Sequence, residues 1–116
     1  MKAPTVFLGE LTNSELESWL EKSSTVIIPV GAVEQHGPHS AMLTDVIIPT
    51  EIARRVAPRL EALVAPPVSY ALSYPHTGFR GVAQIRILTF MALIEELVCH
   101  FCRDGNETQR FVKWAL

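Results

Sequence analysis

Apolar and polar positions along the chain switch between a helical and an extended period, and the switches predict its elements. Leu11-Thr12-Asn13-Ser14-Glu15-Leu16 reads as a helix start. Thr12 is placed to cap, Glu15 to complete a capping box, and Leu11 to staple against Leu16. Leu16, Trp19 and Leu20 then mark one packing face, and the helix fades at Lys22-Ser23-Ser24. Val26-Ile27-Ile28-Pro29-Val30 is a continuous apolar run closed by Gly31, the pattern of a short buried strand over Thr25–Val30. Pro29 lacks a donor and belongs near that strand's end or at an irregularity. Beyond a polar loop, Asp45 is placed to cap a helix beginning at Val46, with Pro49 tolerated in its first turn. Ile48, Ile52, Val56 and Leu60 recur every four residues there, Arg54, Arg55 and Arg59 fall on other faces, and Pro58 is expected to disturb or end the helix. Ala62-Leu63-Val64-Ala65 is a second short strand, stopped by Pro66-Pro67.

Val82 to Ile87 alternates, with Ala83, Ile85 and Ile87 opposite Gln84 and Arg86, and predicts a half-exposed strand or edge. Thr89 is expected to cap the clearest helix of the chain. Phe90, Leu93, Ile94, Leu97, Val98 and Phe101 fall on one face of it, and Gly105 should end it. Arg110 to Leu116 begins a third strand and then stops. Two strands joined by a crossover helix imply a parallel pair, the start of an α/β sheet. In such sheets sites gather beyond the carboxyl ends of the strands. Two loops lie there: Gly31–Asp45 and Ser69–Gly81.

The first loop carries the candidate chemistry. In Gly31-Ala32-Val33-Glu34-Gln35-His36-Gly37-Pro38-His39, Glu34 and His36 lie two apart, and Gly31, Gly37 and Pro38 argue for extended chain rather than helix. Two-residue spacing in extended chain turns both side chains to one side. A carboxylate beside an imidazole, followed by the carboxylate of Asp45, makes a plausible start to a divalent metal site. The same residues also fit a solvated turn, with Asp45 serving as a helix cap. The second loop holds Tyr70, Ser73, Tyr74, His76, Phe79 and Arg80, which suit either substrate binding or packing of a long surface loop.

Composition narrows the classes. At 116 residues the chain is one domain at most. A 48% hydrophobic content is high for this length and suggests apolar surface that awaits a subunit or another part of the same fold. No apolar run reaches membrane-spanning length, because Pro, Glu, Lys or Arg interrupts each. Met1-Lys2-Ala3-Pro4 opens no signal peptide, so the cytoplasm is the expected compartment. A net charge of −2 carries no basic footprint for nucleic acid. Cys99 and Cys102 have Cys-x-x-Cys spacing, which admits redox or zinc chemistry, but their place on a helix with no ligand near by except His100 favours small buried or half-buried packing residues.

Val30-Gly31-Ala32-Val33-Glu34-Gln35-His36-Gly37-Pro38-His39, followed by Thr44-Asp45, resembles the signature of the creatininase (creatinine amidohydrolase) family. The similarity runs from about Leu11 to Gly105, the N-terminal half of a typical member, which divides the chain into a family-like segment 1–105 and a divergent tail 106–116. The resemblance implies part of a three-layer α/β/α fold with a mainly parallel sheet. It also implies a homo-oligomer, often a hexamer, that hydrolyses C–N bonds of cyclic or linear small-molecule amides with two divalent ions, Zn or Mn. Carried across, Glu34 is expected to hold one ion, His36 the other, and Asp45 to bridge them. Ser73 and His76, ahead of Phe79 and Gly81, resemble the family's substrate-side stretch, and His39 is a candidate supporting or substrate-side group, or else an exposed histidine. Leu43 stands where the family usually has Gly. The family's next motif, Asn-Gly-His-Gly-Gly-Asn, is not found, so the expectation is a truncated member whose own activity is open. The alternative is a non-catalytic fragment held by association with a partner or with itself.

Overall fold

Thr12 does open a helix. Its hydroxyl accepts from the Glu15 N–H while the Glu15 carboxylate accepts from the Thr12 N–H, so two donors at the helix end are satisfied reciprocally. This helix, α1 (Asn13–Leu20), leads through a turn into strand β1 (Thr25–Val30). The computed structural model describes residues 3–102 in full, and Arg103 and Phe111–Ala115 as backbone. The remaining elements are α2 (Thr44–Leu60), β2 (Ala62–Val64), α3 (Ile87–Arg103) and β3 (Phe111–Ala115). The expected helix stop at Gly105 and the boundary with the tail lie outside the described residues. The third strand predicted within 110–116 is present as β3.

The strands form one parallel sheet in the order β2-β1-β3, with Val26 opposite Leu63 on one side and Phe111 on the other. The proline in the central strand is tolerated for a local reason. Ile27 and Pro29 turn their carbonyls toward the β2 side, where they accept from Ala65 and Val68, and the chain between those partners leaves the ladder at Pro66-Pro67. Pro29 therefore lacks its N–H where the neighbouring strand has already broken.

Alternation along β1 serves two layers. Val26, Ile28 and Val30 pack with Phe90, Ile94, Leu97, Val98 and Phe101 of α3, while Ile27 packs with Ala53 and Ala57 of α2. Helices on both faces of a parallel sheet make a three-layer α/β/α arrangement. Among the described residues no helix is long and apolar enough to cross a membrane.

Several sequence expectations give way here. The buried side of α2 is Val46, Pro49, Ala53 and Ala57, whereas Ile48, Ile52 and Leu60 are exposed. Small residues let the helix lie close to Ile27 and Val64, and larger side chains at the contact would hold it off. The helix starts at Thr44, with Leu43 at its cap position and no capping side chain, so Asp45 sits inside the first turn instead of capping a helix at Val46. Pro58 does not end α2, which stops just beyond it at Glu61 in left-handed conformation (φ 48°). The hydrogen bond that Pro58 deletes falls in a turn that was ending anyway. Residues 82–86 are irregular, not a strand, because the Gln84 side chain takes up the Ser73 N–H and the Ile85 carbonyl. The following helix begins at Ile87, which leaves Thr89 within its first turn and not at its cap. Cys99 and Cys102 are exposed, since the face one residue earlier, Val98 and Phe101, is the one that meets the sheet.

Candidate metal centre

Both parallel strands β1 and β2 end on the same side of the sheet, and the loops that follow them meet there. Gly31 makes the first of these contacts possible. Its N–H donates to the Val68 carbonyl, and a Cβ at this position would lie 2.0 Å from the Asp45 carbonyl oxygen. Pro49, one turn on, has no N–H to offer that same carbonyl. The start of α2 can therefore press against the end of β1, with the Asp45 side chain beside the first loop. The Glu34 N–H closes that loop by donating to the Met42 carbonyl, and Gly37 takes a positive φ of 73° in the turn after His36.

Glu34, His36 and Asp45 converge. One ligand atom from each lies within 4.8 Å of the others, the one such group of acids, histidines or cysteines among the described residues. His36 Nε2 is 3.2 Å from Asp45 Oδ2, and Glu34 Oε1 is 3.8 Å from His76 Nε2. All four side chains are partly shielded, with exposures between 15% and 30%. Asp45 lies in the first turn of α2, where the positive end of the helix dipole favours a carboxylate.

Whether these residues suit a cation can be judged from His36. Its Nε2 is buried and has no hydrogen-bond partner, despite the Asp45 oxygen close by. A buried imidazole nitrogen left without a hydrogen bond, between two carboxylates, is poorly satisfied by protein alone and well satisfied by a divalent ion. Imidazole nitrogen with carboxylate oxygen is a donor set that suits Zn or Mn. The residues present therefore fit such an ion.

The second loop reaches the same place through a short 3-10 turn, Tyr74–His76, in which the His76 N–H donates to the Ser73 carbonyl. His76 thus joins the cluster, its ring 6.5 Å from that of His36. Ser73 is 1% exposed, and its Oγ is buried without a partner. His39 is exposed, with its ring against Gly37, and stands outside the group of ligand atoms. Two residues with no assigned role in the sequence reading hold this arrangement. Gln35 links Gly37 to His76, and Gln84 holds the Ser73 backbone. Flanked by the two candidate ligands, Gln35 gave no signal of its own, because its partner lies in a distant loop.

Comparison with known proteins gives one consistent result. The family model described as Creatininase, creatinine amidohydrolase, matches residues 9–113. The chain is 36% identical over 107 residues to a creatinine amidohydrolase of Pseudomonas putida, covering 87% of this chain and 41% of that protein. It is 37% identical over 112 residues to a mycofactocin precursor peptide peptidase of Mycolicibacterium smegmatis, covering 90% of this chain and 42% of that one. Among solved structures, a creatininase in its Mn form superposes with a TM-score of 0.83 at 32% identity, over 92% of this chain and 44% of the other. A mutant creatininase of the Zn-Zn type gives 0.82 at 33% identity, with 92% and 44% covered. The chain spans less than half the length of the relatives it matches.

Proposed function

The chain belongs to the creatininase family, and from that premise we propose that it carries part of the centre of a metal-dependent amidohydrolase that cleaves the C–N bond of a cyclic or linear amide. The observation that supports this most is the meeting of Glu34, His36 and Asp45 around the unpartnered Nε2 of His36. Glu34 would hold one of two divalent ions, Zn or Mn, His36 would hold the other, and Asp45 would be shared between them. Such ions, when bound, acidify water and polarise an amide carbonyl, the two things an unreactive amide needs.

The chain's own residues prepare the place. Asp45 and Glu34 supply negative charge that offsets the cations, and Asp45 is fixed by a helix start pressed against Gly31. His36 offers a lone pair that no protein donor occupies. His76, delivered by the second loop beside the exposed Tyr74 and Phe79, borders the substrate, while Ser73 is buried and anchors the turn that carries His76 through its carbonyl. The exposed apolar side chains Ile47, Ile48 and Ile52 on α2, and Leu88 and Met91 on α3, support association into a homo-oligomer. The same exposed side chains favour the second reading, a fragment stabilised by a partner.

Metal analysis of the purified chain and of its Glu34→Ala and His36→Ala variants tests the centre. Metal in the parent and its loss in both variants are expected, and equal content in all three defeats the assignment. Sedimentation tests association, which a monodisperse monomer contradicts.

A further inference from the structure

Gln35 sits between two proposed ligands yet points at neither. The Gly37 N–H lies 2.9 Å from one end of its amide. A backbone N–H only donates, so that end is the oxygen Oε1, and the other, the NH2 group, faces His76 Nδ1 at 3.1 Å. An amide nitrogen likewise only donates. Nδ1 of His76 must therefore be the acceptor, and in a neutral imidazole the proton then resides on Nε2. Nε2 is the atom 3.8 Å from Glu34 Oε1. That distance is too long for a hydrogen bond, but it sets an N–H dipole facing the carboxylate.

We infer that Gln35 is a positioning residue: it holds His76 as the Nε2–H tautomer, so that His76 presents a proton to Glu34 and not a lone pair to the metals. This rests on the reading of Glu34 as a ligand. The arrangement needs a glutamine. Glutamate could accept from Gly37 but could not donate to Nδ1, and an apolar residue could do neither. With a lone pair on Nε2, the ring would repel the Glu34 carboxylate or compete as an extra nitrogen ligand. With the proton there, the ring steadies the carboxylate and the donor set stays Glu34, His36 and Asp45. Gln35 also ties the loop after β1 to the loop after β2, so the tautomer and the meeting of the loops depend on one amide.

Long-range proton–nitrogen correlation spectra of the metal-free, 15N-histidine-labelled full chain, recorded at about pH 8.5 where a free imidazole is neutral, read the tautomer directly. His76→Asn identifies its signals. The expected parent spectrum has His76 unprotonated at Nδ1 and protonated at Nε2, and Gln35→Glu moves the proton to Nδ1. A parent ring protonated at Nδ1, or a Gln35→Glu spectrum with no change at His76, overturns the inference. Zinc affinity by competition with a chromophoric chelator supplies the second reading. Gln35→Met should weaken zinc binding by about 10- to 100-fold, the usual effect of losing an outer partner, while the chain still unfolds cooperatively in urea. His76→Asn should weaken it to a similar degree, and it decides the matter if Gln35→Met folds poorly. Unchanged affinity in a folded variant refutes the positioning role. A parent chain that binds no zinc defeats the proposed metal centre instead, while the spectra still decide what Gln35 does to His76.

Discussion

Replacing Gly31 with alanine adds a single methyl group and should disable the site. The new Cβ would lie 2.0 Å from the Asp45 carbonyl oxygen, 2.6 Å from its carbonyl carbon and 3.0 Å from Val46 Cα. Non-bonded atoms settle at about 3.5 Å, so the end of β1 and the start of α2 must part by about 1.5 Å. All three atoms are backbone, and no side-chain rotation relieves the clash. Metal ligands tolerate displacements of roughly 0.2 Å, so a shift of this size takes Asp45 out of reach of an ion shared with His36. Zinc affinity, measured by chelator competition, should fall by about 100-fold or more. The urea midpoint should drop as well, by the equivalent of about 1–3 kcal/mol for an overpacked contact. Gly9→Ala is the control, because its Cβ would meet Pro66 Cγ at an ordinary 3.5 Å. If Gly31→Ala binds zinc as tightly as the parent chain, the close approach does not position Asp45, and the account of this residue is wrong.

Adding zinc at one hundred times its dissociation constant should stabilise the chain by about 2.7 kcal/mol, visible as a raised urea midpoint that a chelator reverses and that Asp45→Asn largely abolishes. Thr12→Ala removes the hydroxyl of the capping box and should cost about 1 kcal/mol in urea unfolding. The fully buried Ile27, which packs between Ala53 and Ala57, should cost about 2–5 kcal/mol when cut to alanine. Hydrogen bonds from Arg54 and Arg55 hold the Glu51 carboxyl down to about 2 from its ordinary 4.5. A depressed carboxyl pKa stabilises the folded chain above the ordinary value, and the gain disappears as pH falls from about 4.5 toward 2. These groups are exposed, so the difference in stability between the parent chain and Glu51→Gln should be small, should vanish at the acid end of that window, and should shrink in high salt.

Periodicity and local chemistry revealed most of the frame. The run Thr25 to Val30 and the capping box at Thr12 are local signals, and both elements form where those signals lie. The face of α3 was legible for the same reason, since Phe90, Ile94, Leu97, Val98 and Phe101 meet one layer, although Leu93, counted on that face, is exposed. What the pattern missed depends on partners distant in sequence. Ile48, Ile52 and Leu60 have a helical repeat, yet closeness to β1 and β2 selects Ala53 and Ala57 for the interior. A regular repeat shows where a stripe is, not whether the sheet has room for it. Val82 to Ile87 alternates like a strand, but the Gln84 side chain occupies the groups a ladder would use. Of the site, the short spacing of Glu34 and His36 pointed to a shared location, whereas Asp45, apart from the family resemblance, read better as a cap. Its role as a neighbour of His36 depends on Gly31 and Pro49 together, a tertiary contact that no local pattern encodes. The place of His76 beside Glu34 likewise depends on the two loops meeting across Gln35.

The central claim is that Glu34, His36 and Asp45 hold divalent ions at the carboxyl end of this sheet. Anomalous diffraction at the zinc edge, from crystals of the chain grown with zinc, tests it most directly. The account predicts anomalous density at this site, with one peak against Glu34 and Asp45 and a second against His36 and Asp45. Crystals with no such peak, or with zinc bound only elsewhere on the chain, contradict it.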